Sequence, residues 1–464
     1  MMKLLASVAL ALLPANALAQ TTEVAIVDVT VLPMTKIERL QHQTVVTRGD
    51  RIVAVGPRSR VRIPATARRI DGRGKVLMPG LVDMHVHLSP TPGNEADAAQ
   101  RSLAVMLANG VTTIRGMAGS PANLTVREKI EAGALAGPRF YVAAPMLHDK
   151  NTPDVAAARA AVQAAKVAKF DLIKSHSLSN VAVWEAAQDE AKTQGLPTAG
   201  HVNNEVGLDR ALRTGEEVEH LDGTLPQLAP GVTEPYGQFP TPAVLDIAAK
   251  ASDADLDRLA RKVAAAKSWQ VPTVSLFEKA IDPETPAAVF MARPEMRFVP
   301  AAALKQWAAQ RDEMAKEFTP AQAKAFRNLR RRIVAAYRRA GVRMMVGSDT
   351  AQAFHLWGFG VHDEIRALVT AGLTPMEALR AATVTPRDYF RSLPNGGSSL
   401  DWKAEFGTVE AGARADLILL TADPSRDLGA LGKPQMVIAG GRLYDRVRLD
   451  ALLEKAAADA NAAK

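Results

Sequence analysis

The sequence predicts an α/β protein: a (β/α)8 TIM-like barrel with a small β-sandwich module built from both chain ends. Three observations predict it. Eight short apolar runs alternate with alanine-rich or amphipathic helical stretches through the middle of the 464-residue chain. Turn-punctuated, strand-like runs lie before and after them. Polar residues able to bind a metal recur where the apolar runs end, the face on which such barrels carry their chemistry.

Residues 1–19 have the layout of a cleaved secretory signal: Lys3, an apolar run from Leu4 to Leu13, Pro14, then Ala17-Leu18-Ala19. The apolar run is too short for a permanent membrane helix. A periplasmic or secreted protein beginning near Gln20 is expected. The chain has no cysteine, which excludes disulfides and thiolate metal ligands and leaves no lipid-anchored mature terminus expected. Residues 20–76 hold "EVAIVDVTVLP", "QTVVTRGDRIVAVGP" and "RRIDGRGKVLMPG", with turns at Gly49-Asp50 and Asp71-Gly72. Residues 405–448 have the same character and complete the β-module, and 449–464 form an alanine-rich helical tail.

Residues 77–404 are assigned to the barrel. Its strands are expected in "LVDMHVH" (81–87), "VTTIRG" (111–116), "PRFYVAA" (138–144), "FDLIKSH" (170–176), "LPTAGHV" (196–202), "EEVEHLD" (216–222), "VPTVSLF" (271–277) and "VRMMVGSD" (342–349). Helical patterns at 154–168, 180–194 and 205–214 lie between them. The interval 223–340 is longer than two connections need and reads as a mostly helical cover over the barrel mouth.

Hydrophobic residues make up 47% of the chain and charged residues 23%, enough for a large core. The net charge of +8 is spread along the sequence, apart from "RNLRRRIVAAYRR" at 327–339. On a helix, Leu329, Ile333, Val334 and Tyr337 can pack there while the arginines are solvated. No nucleic-acid-binding module accompanies the charge, so no nucleic-acid partner is expected.

His85 and His87 stand two apart and share a strand face. Lys174, His201, His220 and Asp349 close later runs. A single strand-end histidine is more often a hydrogen-bonded core residue, but the six together, in order on a barrel, make a metal site. Lys174 is odd inside an apolar strand, because a buried ammonium is costly unless paired or neutralised. Carbamylation by carbon dioxide would convert it into an anionic ligand able to bridge two cations. Four imidazoles, a carbamate and an aspartate suit zinc or a similar divalent ion, and six ligands are too many for one tetrahedral zinc. Two divalent metals, zinc being the expected one, are therefore the cofactor reading.

The chain resembles the amidohydrolase superfamily through "MPGLVDMHVHL", "GVTTIRG", "IKSH", "AGHV", "VEHLDG", "VGSDT" and "LTPMEALRAATVTPRDYF". It is most similar to members with a carboxylated lysine and two metals, including prolidase-like peptidases of the Xaa-Pro or Xaa-Arg type. The resemblance implies His85 and His87 on the more buried metal, His201 and His220 on the other, and Lys174 bridging the pair. It also implies Asp349 as a ligand of the buried metal and as the acid/base. Gly116 departs from the pattern, since relatives often have an aspartate there.

Three further residues are candidates for substrate contact: His176, two beyond Lys174; Arg115, as an anchor for a carboxylate; and His355. His148 reads as a surface-loop residue, His362 as part of the following helix and Asp83 as structural. The function expected is metal-assisted hydrolysis of an amide-like C–N bond by a bridging hydroxide, in a dipeptide or an N-acyl amino acid. Lactone, ester or cyclic-amide hydrolysis would use the same site. A non-catalytic binding protein on this fold is the other class; retired enzymes usually lose a ligand, and none is missing here. Partners reduce to a small-molecule substrate, with no membrane segment after signal removal and a homo-oligomer left open.

Overall fold

The computed structural model describes residues 23–89, 95–229, 249–400 and 403–462. The expected signal segment, 1–19, lies outside them, as does part of the expected cover. Five strands open the described chain: β1 (Glu23–Val31), β2 (Leu40–Arg48), β3 (Arg51–Pro57), β4 (Arg68–Asp71) and β5 (Val76–Pro79). Eight follow: β6 (Leu81–Val86), β7 (Val111–Gly116), β8 (Arg139–Val142), β9 (Ile173–Ser175), β10 (Thr198–Gly200), β11 (Glu217–Glu219), β12 (Trp269–Val271) and β13 (Arg343–Met344). The last three are β14 (Leu417–Leu420), β15 (Met436–Ala439) and β16 (Arg442–Asp445).

Both chain ends join one mixed, eight-stranded sheet, ordered β16-β15-β14-β5-β1-β2-β3 with β4 beside β1. The joint is β5 against β14, antiparallel from Leu417 opposite Pro79 to Leu420 opposite Val76. Alternation along β1, shifted by one residue at an irregularity between Ile26 and Val29, sends Val24, Ile26, Val29 and Val31 into one apolar cluster with Val45, Ile52, Leu417 and Ile438. The sequence predicts a sandwich here; a second facing sheet is not among the described strands.

The central strands form two parallel sheets, β6-β7-β8 and β13-β12-β11-β10-β9. Among the described residues they do not form one continuous closed sheet. Single parallel bridges, Ala143 with Leu172 and Val86 with Thr350, link their edges. β13 ends at Met344 without a ladder to β6, and farther along the chain Asp349 takes up φ 57°. Backbone bonds still cross the gap, from Met84 N to Val346 O at 3.0 Å and from Asp349 N to His85 O at 2.7 Å.

Helices Val155–Val167 and Val181–Gln194 lie where their patterns place them. Asp154 caps the first by accepting from Ala157 N, and Asn180 caps the second. The run 271–277, expected as strand, divides differently: β12 ends at Val271 and helix Val274–Ala280 follows. The expected cover interval thus contains β12 and two packed helices, Asp253–Ala265 and Pro320–Ala340. Between them, Phe290, Met296, Phe298 and Val299 form a separate apolar cluster with Phe354 and Leu356, on the loop after Asp349.

Helix Pro320–Ala340 corrects the reading of its arginines as uniformly solvated. Arg331, Arg332, Arg338 and Arg339 pair with acidic residues near the surface. Arg330 is buried and donates to the His220 carbonyl at 2.9 Å and the Pro272 carbonyl at 2.7 Å. Strand-end carbonyls without ladder partners need such donors.

Candidate metal centre

His85 is the penultimate residue of β6, and His87 follows the strand. Their Nε2 atoms approach to 3.2 Å, as expected for side chains sharing a face. Asp349 Oδ1 lies 2.8 Å from His87 Nε2 and 3.4 Å from His85 Nε2. These three residues offer ligand atoms within 4.8 Å of one another. His220, immediately after β11, stacks its ring on that of His201 at 4.7 Å and stands 4.9 Å from that of His85. The structure therefore brings His85, His87, His201, His220 and Asp349 together.

Lys174, in β9, is buried, and its Nζ has no hydrogen-bond partner among the described residues. Burial pushes its amine below the usual lysine range, against the pull of Glu219, Asp349 and Asp222. Burial also lowers His85, His201 and His220 well below the ordinary imidazole range, leaving the neutral form that metal ligation requires. Burial alone would raise the Asp349 carboxyl; His85, His87 and Lys174 around it hold it below the usual carboxylate range. His220 Nε2 is likewise buried, with no hydrogen-bond partner among the described residues. Neutral nitrogens with unused lone pairs, beside an ionised carboxylate, are a donor set that fits divalent cations of the zinc type.

Around these groups stand residues that the sequence reading misses. Glu219 Oε2 lies 2.8 Å from His85 Nδ1, Asp222 Oδ2 lies 2.8 Å from His201 Nδ1, and Thr273 Oγ1 lies 2.8 Å from His220 Nδ1. Partners of this kind fix the ring and tautomer of a ligating histidine. Glu219 also belongs to a second close group with His85 and His220; its bond to His85 Nδ1 makes it an orienting partner. The signal was present in "EEVEHLD", where carboxylates flank His220 on both sides.

Arg115 is not the open anchor expected. Its buried guanidinium donates to Glu217 at 2.5 and 2.6 Å, to Glu219 at 2.9 Å and, through Nε, to Met84 O at 2.8 Å. It sits beneath the centre and holds Glu219 against His85. Arg115→Met leaves two buried carboxylates without their cation, a change that costs about 3–5 kcal/mol. Urea denaturation of the metal-free protein should show a clearly lower midpoint; an unchanged midpoint contradicts this role.

His176 is half-buried, with its ring 4.9 Å from that of His201, and burial lowers it to about 4. It stands at the rim of the cluster. His355 is fully buried, 2.9 Å from Lys279 Nζ and 3.4 Å from Ser275 Oγ, so contacts within the protein replace the expected substrate contact. His148 is partly exposed, and His362 lies in helix Phe359–Thr370. Asp83 is structural: it accepts from Ser348 N at 2.8 Å and Ser348 Oγ at 2.5 Å, steadying the residue before Asp349. Gly116 has a steric cause, since a Cβ there would lie 2.6 Å from the Phe140 ring.

Comparisons with known proteins bear on the fold and the family. A provisionally assigned prolidase from Bifidobacterium longum superposes with a TM-score of 0.66 at 25% identity, over 94% of this chain and 99% of that one. Bottromycin amidohydrolase gives a TM-score of 0.72 at 24% identity, over 95% and 91% of the two chains. A Xaa-Pro dipeptidase with bound methionine gives 0.65 at 19%, over 91% and 100%. At these last two identities the likeness is one of fold. A 5-methylthioadenosine/S-adenosylhomocysteine deaminase from Symbiobacterium thermophilum is 43% identical over 63 residues, 13% of this chain and only 14% of that protein's length. The amidohydrolase family pattern matches residues 76–444, and the chain belongs to that family of hydrolases acting on carbon–nitrogen bonds.

Proposed function

We propose that this amidohydrolase is an exported, binuclear metal enzyme that cleaves the amide bond of a dipeptide or an N-acyl amino acid. The observation that carries the reading is Lys174: a buried amine, without a hydrogen-bond partner among the described residues, close enough to His85, His201, His220 and the ionised Asp349 to act on them electrostatically. The two parallel sheets are read as arcs of one (β/α)8 barrel whose strand ends supply the ligands. His85, His87 and Asp349 would hold one zinc ion and His201 and His220 the other, with carbamylated Lys174 between them. Carbamylation is balanced: the neutral amine attacks carbon dioxide, a C–N bond forms and one proton leaves.

Bound divalent cations would polarise the substrate carbonyl and ease deprotonation of the attacking water. The protein's own part begins with Asp349, whose carboxylate takes the proton from that water. The same carboxyl then donates it to the departing nitrogen, because an amine leaves poorly until protonated. Glu219, Asp222 and Thr273 keep the imidazoles aimed. His176, at the rim, is the remaining candidate for contact with the substrate.

Lactone or other ester hydrolysis is the second reading, since the chemistry at the carbonyl is shared. A mass-spectrometric screen of zinc-loaded protein against dipeptides, N-acyl amino acids and lactones separates the two. Turnover of lactones alone overturns the amide reading. Export has its own test. N-terminal sequencing of protein recovered outside the cytoplasm should begin near Gln20, and an intact Met1 contradicts it.

A further inference from the structure

Near the centre, His220 at φ 60°, Asp349 at φ 57° and Thr273 at φ 45° sit in the left-handed region that L-residues seldom adopt. The first two are candidate ligands. Thr273 is not, and for a β-branched side chain this conformation is a genuine outlier, held only where the surroundings enforce it. The surroundings are on hand. Glu364, fully buried, accepts from Val274 N at 2.9 Å and from Ser275 N at 2.7 Å, fixing the chain just after Thr273. Arg330 binds the Pro272 carbonyl just before it and, with its other nitrogen, the His220 carbonyl. A single guanidinium thus ties the end of β11 to the end of β12. Between these two clamps Thr273 is fully buried, and its hydroxyl meets His220 Nδ1 at 2.8 Å. The other ring nitrogen, Nε2, has no hydrogen-bond partner among the described residues.

We propose that Thr273 is a positioning residue for His220, held in its left-handed conformation by Glu364 and Arg330. Its Oγ1 accepts from His220 Nδ1–H, which keeps the proton on that nitrogen and leaves the Nε2 lone pair free to ligate a metal. The inference rests on the binuclear reading above. It goes further by naming which nitrogen ligates and what selects it. A histidine whose orienting partner is removed typically loses about 10- to 100-fold in metal affinity.

The test uses the full chain, stripped of metal and titrated with zinc, as wild type, Thr273→Val and Thr273→Ser. Valine is nearly isosteric and equally β-branched, so it removes the hydroxyl while leaving the backbone demand unchanged. Thr273→Val should weaken one of two zinc equivalents by about 10- to 100-fold and leave the other at its wild-type affinity. Thr273→Ser should restore the weakened equivalent. Nitrogen-15 histidine NMR of the metal-free proteins should show His220 protonated on Nδ1 in wild type and Thr273→Ser, and a mixture of tautomers in Thr273→Val. Wild-type affinity for both equivalents in Thr273→Val, or His220 protonated on Nε2 in the wild type, overturns the proposal. Failure of the wild type to bind two equivalents instead overturns the binuclear reading, and the tautomer measurement then still decides the role of Thr273.

Discussion

Lys174→Ala should lose both metals and, with them, amide turnover. The side chain is buried, acts electrostatically on His85, His201, His220 and Asp349, and has no hydrogen-bond partner among the described residues. Alanine removes the one anion that the proposed site needs between its cations. It also leaves four closely spaced imidazoles with Asp349 as the only carboxylate among the proposed ligands. The rate loss should exceed the ~10²–10⁴ that one proton transfer contributes, because carbonyl polarisation and water activation go together. Elemental analysis under metal-replete conditions should find about two equivalents in wild type and little in the variant. A short-chain carboxylic acid, filling the vacancy, should restore part of both metal and activity. Full metal content in Lys174→Ala contradicts the bridging role.

Asp349→Asn should separate proton transfer from ligation. The carboxylate lies against His87 and His85 and is held below the usual carboxylate range, so at neutral pH it is ionised and able to accept a proton. An asparagine oxygen can still face a cation but cannot relay the proton. Metal content should be largely retained while amide turnover falls by about 10²–10⁴. A nitrophenyl ester, whose leaving group departs without protonation, should suffer a smaller loss. Equal losses on both substrates, in step with metal occupancy, would make Asp349 a ligand alone.

Much of this was legible in the sequence because it depends on periods and strand ends. "VTTIRG" coincides with β7, and the histidines closing "LVDMHVH", "TAGH" and "VEH" converge, since neighbouring parallel strands present their ends to one face. What was not legible depends on single long-range partners. Arg115 read as an anchor for a substrate carboxylate because nothing in "TTIRG" reveals that Glu217 and Glu219 will face it. "VPTVSLF" has a strand's composition, yet Glu364 captures the amides of Val274 and Ser275 and starts a helix in mid-run. Arg330 is one arginine in a run, and only its helix phase and the carbonyls beneath it set it apart. Left-handed residues such as Thr273 leave no mark on composition.

The pairing of β5 with β14 has a consequence for how the protein is made. A ribosome delivers β1 to β5 first and β14 to β16 almost last. Until then, β5 presents an open hydrogen-bonding edge and β1 an incompletely covered face, with Val24, Ile26 and Leu77 waiting for Leu417 and Ile438. Open edges of this kind pair readily with other chains. Closing so long a loop is also slow, because its entropy is lost before any contact repays it. The emerging chain therefore carries this open edge for most of its synthesis, and C-terminal truncations should appear first as aggregation rather than as weakened catalysis.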